Sequence, residues 1–142
     1  MDEKTIQTLI ETALAMRQRS YAPYSNFHVG AALLGADGRI YSGCNIENAA
    51  FTPTNCAERT AFFKAVSEGQ REFQAIAIAG GKKDAVTLEY CAPCGVCRQV
   101  IMEFVNPQNF QIILARSARE YQIFTLEQLL PHGFGAGNLE GE

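Results

Sequence analysis

Two short cysteine groups, Cys56-Ala57-Glu58 and Pro93-Cys94-Gly95-Val96-Cys97, each stand where a helix is about to begin. For them to act together, the fold must bring two helix starts to one place. The pattern around them shows how. Ile6, Leu9, Ile10, Ala13, Leu14 and Met16 recur at helical spacing, so Thr5 to Arg19 reads as an amphipathic helix that ends ahead of Pro23. Phe27 to Leu34 and Arg39 to Cys44 read as strands joined by the Gly35–Gly38 turn, a hairpin. Asn55 to Gly69 reads as a helix with Ala57, Ala61, Phe62, Ala65 and Val66 as its apolar stripe. A strand at Gln74 to Ala79 precedes Gly80-Gly81, and a helix runs from Cys94 to Phe104. Strands at Phe110 to Ala115 and Tyr121 to Phe124, then a short helix Leu126 to Leu130 before Pro131, complete the order.

Strands joined through helices imply parallel pairs, and the hairpin adds an antiparallel one. The expected fold class is α/β: a mixed β-sheet of about five strands covered by helices. At 142 residues the chain is expected to form one domain, 1–142, with a flexible Gly-rich tail after about residue 134. The sequence is 47% hydrophobic and 19% charged with a net charge of −3, which argues against disorder and against a strongly basic nucleic-acid module. No membrane partner is expected, because no apolar run approaches a spanning length. The polar start Met1-Asp2-Glu3-Lys4 lacks a signal-peptide core, so the expected location is cytoplasmic. In that reducing compartment, five cysteines point to metal binding or catalysis before disulfides.

Helix N-termini stabilise negative charge and favour thiolate, the metal-binding form. Cys94 and Cys97 share one helix face, and Cys56 supplies a third sulfur. Three protein ligands leave a tetrahedral zinc one open position for water. Glu58 is then the candidate proton carrier. It can face the metal only if Cys56 sits at the cap or in the first turn, since residues two apart in a regular helix point in nearly opposite directions. Spacing alone leaves other readings open. The thiols can be small buried hydrophobes. Cys91 can close a four-sulfur structural site. A redox pair is disfavoured, because a third cysteine and an adjacent glutamate have no use there. Cys44 reads as core.

Several segments in order, Ala22–Gly30, Gly43–Ala49, Cys56–Thr60, Pro93–Arg98 and Leu129–Pro131, resemble the small homotetrameric zinc-dependent cytidine deaminases of nucleoside salvage. The resemblance spans roughly Tyr21 to Phe134. It implies one zinc ion per subunit held by Cys56, Cys94 and Cys97, with Glu58 as catalytic proton shuttle. It implies a nucleoside substrate, with Asn45 and Glu47 on the ribose hydroxyls, Phe27 on the pyrimidine ring and the Ala57 backbone on the base carbonyl. Arg59 would hydrogen-bond the cysteine sulfurs, and Phe134 would close a neighbouring subunit's site in a homotetramer. Read without the resemblance, Asn45 and Glu47 also suit a turn, Phe27 and Phe134 the core, and Arg59 a solvated helix face.

The chemistry so implied is hydrolytic deamination of cytidine and 2′-deoxycytidine to the uridines and ammonia, in pyrimidine salvage. Two departures from the family pattern stand near the site: Phe51 where a tyrosine is frequent, and Ala92 where serine is frequent. A deaminase of the same fold acting on a nucleotide, a nucleoside antibiotic or polynucleotide cytosine is a second reading. The absence of Lys and Arg between Tyr41 and Glu58 argues against the nucleotide and the polynucleotide. A zinc-stabilised interaction domain, with Cys91 as a ligand, is a third.

Overall fold

Asp2 starts the first helix: its carboxylate accepts the Thr5 backbone N–H at 2.8 Å, a conventional N-cap. This computed structural model describes residues 1–140. Helix α1 (Glu3–Met16) is followed by a 3-10 turn (Arg17–Arg19), so the expected α-helix tightens over its last three residues. Strands β1 (Phe27–Gly35) and β2 (Ile40–Cys44) form the hairpin. Helix α2 (Ala57–Ser67), strand β3 (Phe73–Lys82), helix α3 (Gly95–Phe104), strands β4 (Gln111–Ala115) and β5 (Tyr121–Thr125) and helix α4 (Leu126–Leu129) follow.

The strands make one five-stranded mixed sheet in the order β2-β1-β3-β4-β5. Only β3 and β4 pair in parallel; β1 pairs antiparallel with both β2 and β3, and β4 with β5. Thus the C-terminal ends of β2 and β3, which lead into α2 and α3, flank the N-terminal end of β1. The strands leading into the two helices are next-nearest neighbours, and Phe27 at the start of β1 sits between them.

Strand β3 is longer than its sequence suggests. Gly80 and Gly81 read as a stop, yet both continue the ladder, opposite Val29 and His28. A side chain at Gly80 would crowd the Cys91 sulfur and the Val29 methyl, each 3.0 Å from the Cβ it would carry. The glycine is there for space, and the strand runs on beneath the cavity described below.

Each face of the sheet has its own core. Under α1, Ile6, Leu9, Ile10 and Ala13 pack on mostly small residues, among them Ala32, Ala75, Ala77 and Ala79. Under α2 and α3, Phe62, Ile101 and Phe110 pack on Leu33, Ile76, Ile78 and Ile112. Burying one such aliphatic or aromatic side chain stabilises by about 1.5–3 kcal/mol. Phe62 is fully buried, as its place in the apolar stripe predicts, whereas the neighbouring Phe63 and Phe51 are exposed. Cys44 is buried, as expected of a core position. A Cβ on Gly43 would lie 2.4 Å from the Ala57 carbonyl oxygen, so only glycine lets the start of α2 rest on β2.

Past α4, the Gly135 N–H donates to Asn138 Oδ1 at 2.8 Å, across a 3-10 turn at Ala136–Asn138. The end of the expected tail, 141–142, lies outside the described residues. Among the described residues, no helix is long and apolar enough to cross a membrane.

Candidate active site and metal centre

Cys56 and Cys94 are the N-cap residues of α2 and α3. Both have extended backbone, with φ/ψ of −77°/159° and −66°/168°, and neither makes a side-chain cap hydrogen bond. Each helix begins one to two residues later than its apolar pattern suggests, because the cap residue is only half inside the helix. That offset settles the direction of Glu58. With Cys56 outside the helical turn, the two-residue spacing no longer sets the side chains on opposite sides, and Cys56 and Glu58 line one cavity.

The sulfurs of Cys56, Cys94 and Cys97 all lie within 4.8 Å of one another. The Cys56 and Cys94 sulfurs are 3.8 Å apart. Zinc–sulfur bonds of about 2.3 Å in a tetrahedron place sulfurs about 3.8 Å apart, so the spacing suits zinc. Cys91 is not part of this group. Its thiol lies in the cavity wall, and burial pushes it up to about 11, so it stays protonated.

Charge favours the same centre. Cys56 is brought down to about 5, first by its hydrogen bond with Cys97, whose own thiol the shared bond pushes up, and then by Arg59. The Arg59 guanidinium donates to the Cys56 sulfur at 3.3 Å. Its Nε–H is buried without an acceptor. A zinc ion with three thiolates carries one net negative charge, and this cation offsets it. The donor set, its spacing and its counter-charge therefore fit zinc.

Glu58 is 4% exposed. Burial first, and then the Cys56 thiolate, push its carboxyl up to about 7. A carboxyl that holds a proton near neutral pH can both accept and return it.

The cavity beside this carboxyl measures about 350 Å³ and is lined by Phe27, Val29, Asn45, Glu47, Ala57 and Glu58 among others. Phe27 lines the cavity and is 37% exposed, so part of its ring is open to a ligand. Glu47 stands at the rim, where it accepts the N–H groups of Tyr24 at 2.9 Å and Ser25 at 3.2 Å, and the Ser25 hydroxyl. The Ser25 hydroxyl is the main cause of its lowered pKa, which keeps it ionised. Asn45 ties down β1: its Oδ1 accepts the Val29 N–H at 2.9 Å, and its Nδ2 donates to the Phe27 carbonyl at 2.7 Å. One Nδ2 proton remains to serve a ligand.

Phe134 is not among the residues lining this cavity and is 57% exposed. Phe51 does not line this cavity either; it lines an adjoining one with Tyr24, Ser25, Glu47 and Thr54, at a positive φ of 61° and with its ring edge-on to Tyr24. Ala92 lines the wall of the cavity beside Glu58. Sequence reading assigned no part to Ser25 or Thr54, which also line the cavity. Ser25 lies inside the segment Ala22–Gly30, but only the folded loop reveals that it holds Glu47.

Three thiols around one point, open on the side of a proton-holding carboxyl, define a hydrolytic zinc centre. Residues 3–112 match the family model for the cytidine and deoxycytidylate deaminase zinc-binding region. The cytidine deaminase of Sporosarcina psychrophila is 47% identical, over 94% of this chain and 94% of its own. That of Halalkalibacterium halodurans is 46% identical, over 94% of this chain and 96% of its own. Among solved structures, a Burkholderia pseudomallei cytidine deaminase aligns with a TM-score of 0.80 and 45% identity, covering 89% of this chain and 97% of that one. The chain belongs to the cytidine deaminase family.

Proposed function

We propose that this protein deaminates cytidine and 2′-deoxycytidine hydrolytically, yielding uridine or 2′-deoxyuridine and ammonia, in pyrimidine salvage. One observation carries the reading: three converging sulfurs beside the buried Glu58, whose carboxyl is held at about 7. Cys56, Cys94 and Cys97 hold the zinc. When bound, zinc acts as a Lewis acid that brings the pKa of water toward neutrality.

Glu58 takes a proton from the attacking water and delivers it to ring N3. It then carries the second proton to the amino group, which leaves as ammonia while the C4 carbonyl forms. Its near-neutral pKa suits both directions of transfer. The Ala57 N–H, at the first turn of α2, faces the base carbonyl. Phe27 packs on the ring. Glu47 and the free Nδ2 proton of Asn45 take the ribose hydroxyls. Arg59 acts through the sulfurs, offsetting their charge.

Among the described residues, no Lys or Arg lines the cavity, which favours a nucleoside over a nucleotide or a nucleic-acid strand. We infer further that the enzyme is a cytoplasmic homotetramer in which Phe134 closes a neighbouring subunit's cavity. Its exposure and its place away from its own cavity support this.

The test follows cytidine absorbance before and after chelation. Turnover that stops on chelation and returns with zinc is expected. Absence of turnover in zinc-loaded protein overturns the reading. Faster turnover of cytidine monophosphate than of cytidine would move the substrate to the nucleotide. Cys91→Ser is expected to keep its zinc.

A further inference from the structure

Helix α3 and its N-cap supply two of the three sulfurs, and the helix also holds the chain that follows α4. Cys97 and Ile101, four apart, face the core and are fully buried. Gln99 and Met102, three apart, share a different face, and the chain after α4 lies along it. Gln99 Nε2 donates to the Phe134 carbonyl at 2.8 Å. A Cβ on Gly135 would lie 3.0 Å from the Met102 methyl, so that glycine lets the segment sit directly on the helix. Between these two faces, Arg98 donates from Nε to the Pro93 carbonyl at 2.8 Å and from Nη1 to the Leu129 carbonyl at 2.7 Å. Successive side chains of one helix therefore grip the loop before Cys94, the end of α4 and the backbone of Phe134.

We propose that Gln99 is a positioning residue: it fixes the backbone of Phe134 to helix α3, so that the exposed aromatic is presented at a set place on the subunit surface for the neighbouring subunit's cavity. Between Leu130 and Phe134 the chain has Pro131, His132 and Gly133, with His132 at a φ of 56°, and the Gln99 bond is the only side-chain hydrogen bond to the backbone of Phe134 among the described residues. Phe134 itself is exposed, so its ring has little packing of its own to hold it. Loss of this bond loosens the backbone that presents the ring without touching a sulfur. The functional half of the inference rests on Phe134 closing a substrate cavity, as proposed above.

The chain has no tryptophan, so Phe134→Trp in the zinc-loaded enzyme gives a single fluorescent reporter at the position in question. In that background, Gln99→Met, which keeps the length and removes the donor, is expected to lower the fluorescence anisotropy; Gln99→Lys, which keeps a donor, is expected to restore it. Unchanged anisotropy overturns the anchor. Without the reporter, Gln99→Met is expected to raise KM for cytidine about 3- to 10-fold, the scale of one lost neutral hydrogen bond, with kcat within about twofold and zinc content unchanged. Gln99→Met should add nothing further to Phe134→Ala; full additivity overturns the coupling. A fall in anisotropy with unchanged KM in both Gln99→Met and Phe134→Ala leaves the anchor standing, removes Phe134 from the substrate site and overturns the functional half.

Discussion

Side chains cap the starts of α1 and α4 and leave those of α2 and α3 uncapped. Asp2 caps α1, and Thr125 with Gln128 forms a reciprocal capping box on α4. The caps of α2 and α3 are Cys56 and Cys94, whose side chains make no capping hydrogen bond. The first pair of helices ends in stability; the second ends in chemistry. A thiol turned onto its own helix would be turned away from a metal. The helix starts that build the site leave their side chains free, and at α2 the Cys56 thiol is held toward its thiolate by its hydrogen bonds with Cys97 and Arg59.

The largest effects should come from breaking the reactive pair. Cys94→Ala is expected to lose zinc, measured by atomic absorption, and turnover with it; full zinc content would remove Cys94 from the ligands. Glu58→Gln separates holding the metal from moving protons. It should keep its zinc while kcat falls by about 100- to 10,000-fold, the usual worth of a positioned proton carrier. A variant turning over at near the wild-type rate would end the assignment.

Glu58 also makes the metal-free protein sensitive to pH. Its pKa rises from 4.5 to about 7 on folding, because burial disfavours the charged form. Below pH 4.5 both folded and unfolded states hold the proton, and there is no penalty. As pH rises toward 7, the unfolded state ionises first and stability falls. The loss is about 3 kcal/mol once the folded pKa is passed. Neighbouring thiols titrate too, so the comparison is between chelated wild type and chelated Glu58→Gln in urea unfolding. The glutamine variant should gain on wild type by that amount between pH 4.5 and about 7.5. A flat difference would mean that Glu58 is not a buried acid.

The contrast between the helix starts was half readable from the sequence. Both cysteine groups mark helix starts, because Pro93 and the apolar stripes of α2 and α3 bracket them. The strand order could be read only as far as a mixed sheet of about five strands. Whether Glu58 faced the sulfurs could not be read, since it depends on whether Cys56 lies just inside or just outside the first turn. Gly80-Gly81 looked like a break for a related reason: glycine signals a turn when read locally, and its use as room for Cys91 and Val29 appears only after packing. The Asn45 bonds to Val29 and Phe27 join residues far apart in the chain, so no local pattern carries them. The same holds for Ser25 on Glu47.

The sharpest test of the comparison is to give α3 an ordinary cap. Cys94 is exposed, so Cys94→Ser removes little buried surface and supplies an oxygen able to accept an N–H of the first turn. Zinc should be lost. Yet the chelated variant should be more stable than chelated wild type by about 1 kcal/mol, the typical worth of a good N-cap. The counterpart at the other kind of helix start is Asp2→Ala, which should lower the urea midpoint of unfolding slightly, with zinc content and kcat/KM unchanged. If Cys94→Ser failed to stabilise the metal-free protein, the bare cap would carry no stability cost, and the freedom of its thiol would follow from loop geometry alone. If it does stabilise, the start of α3 is a place where the sequence holds a less stable helix in order to keep a ligand.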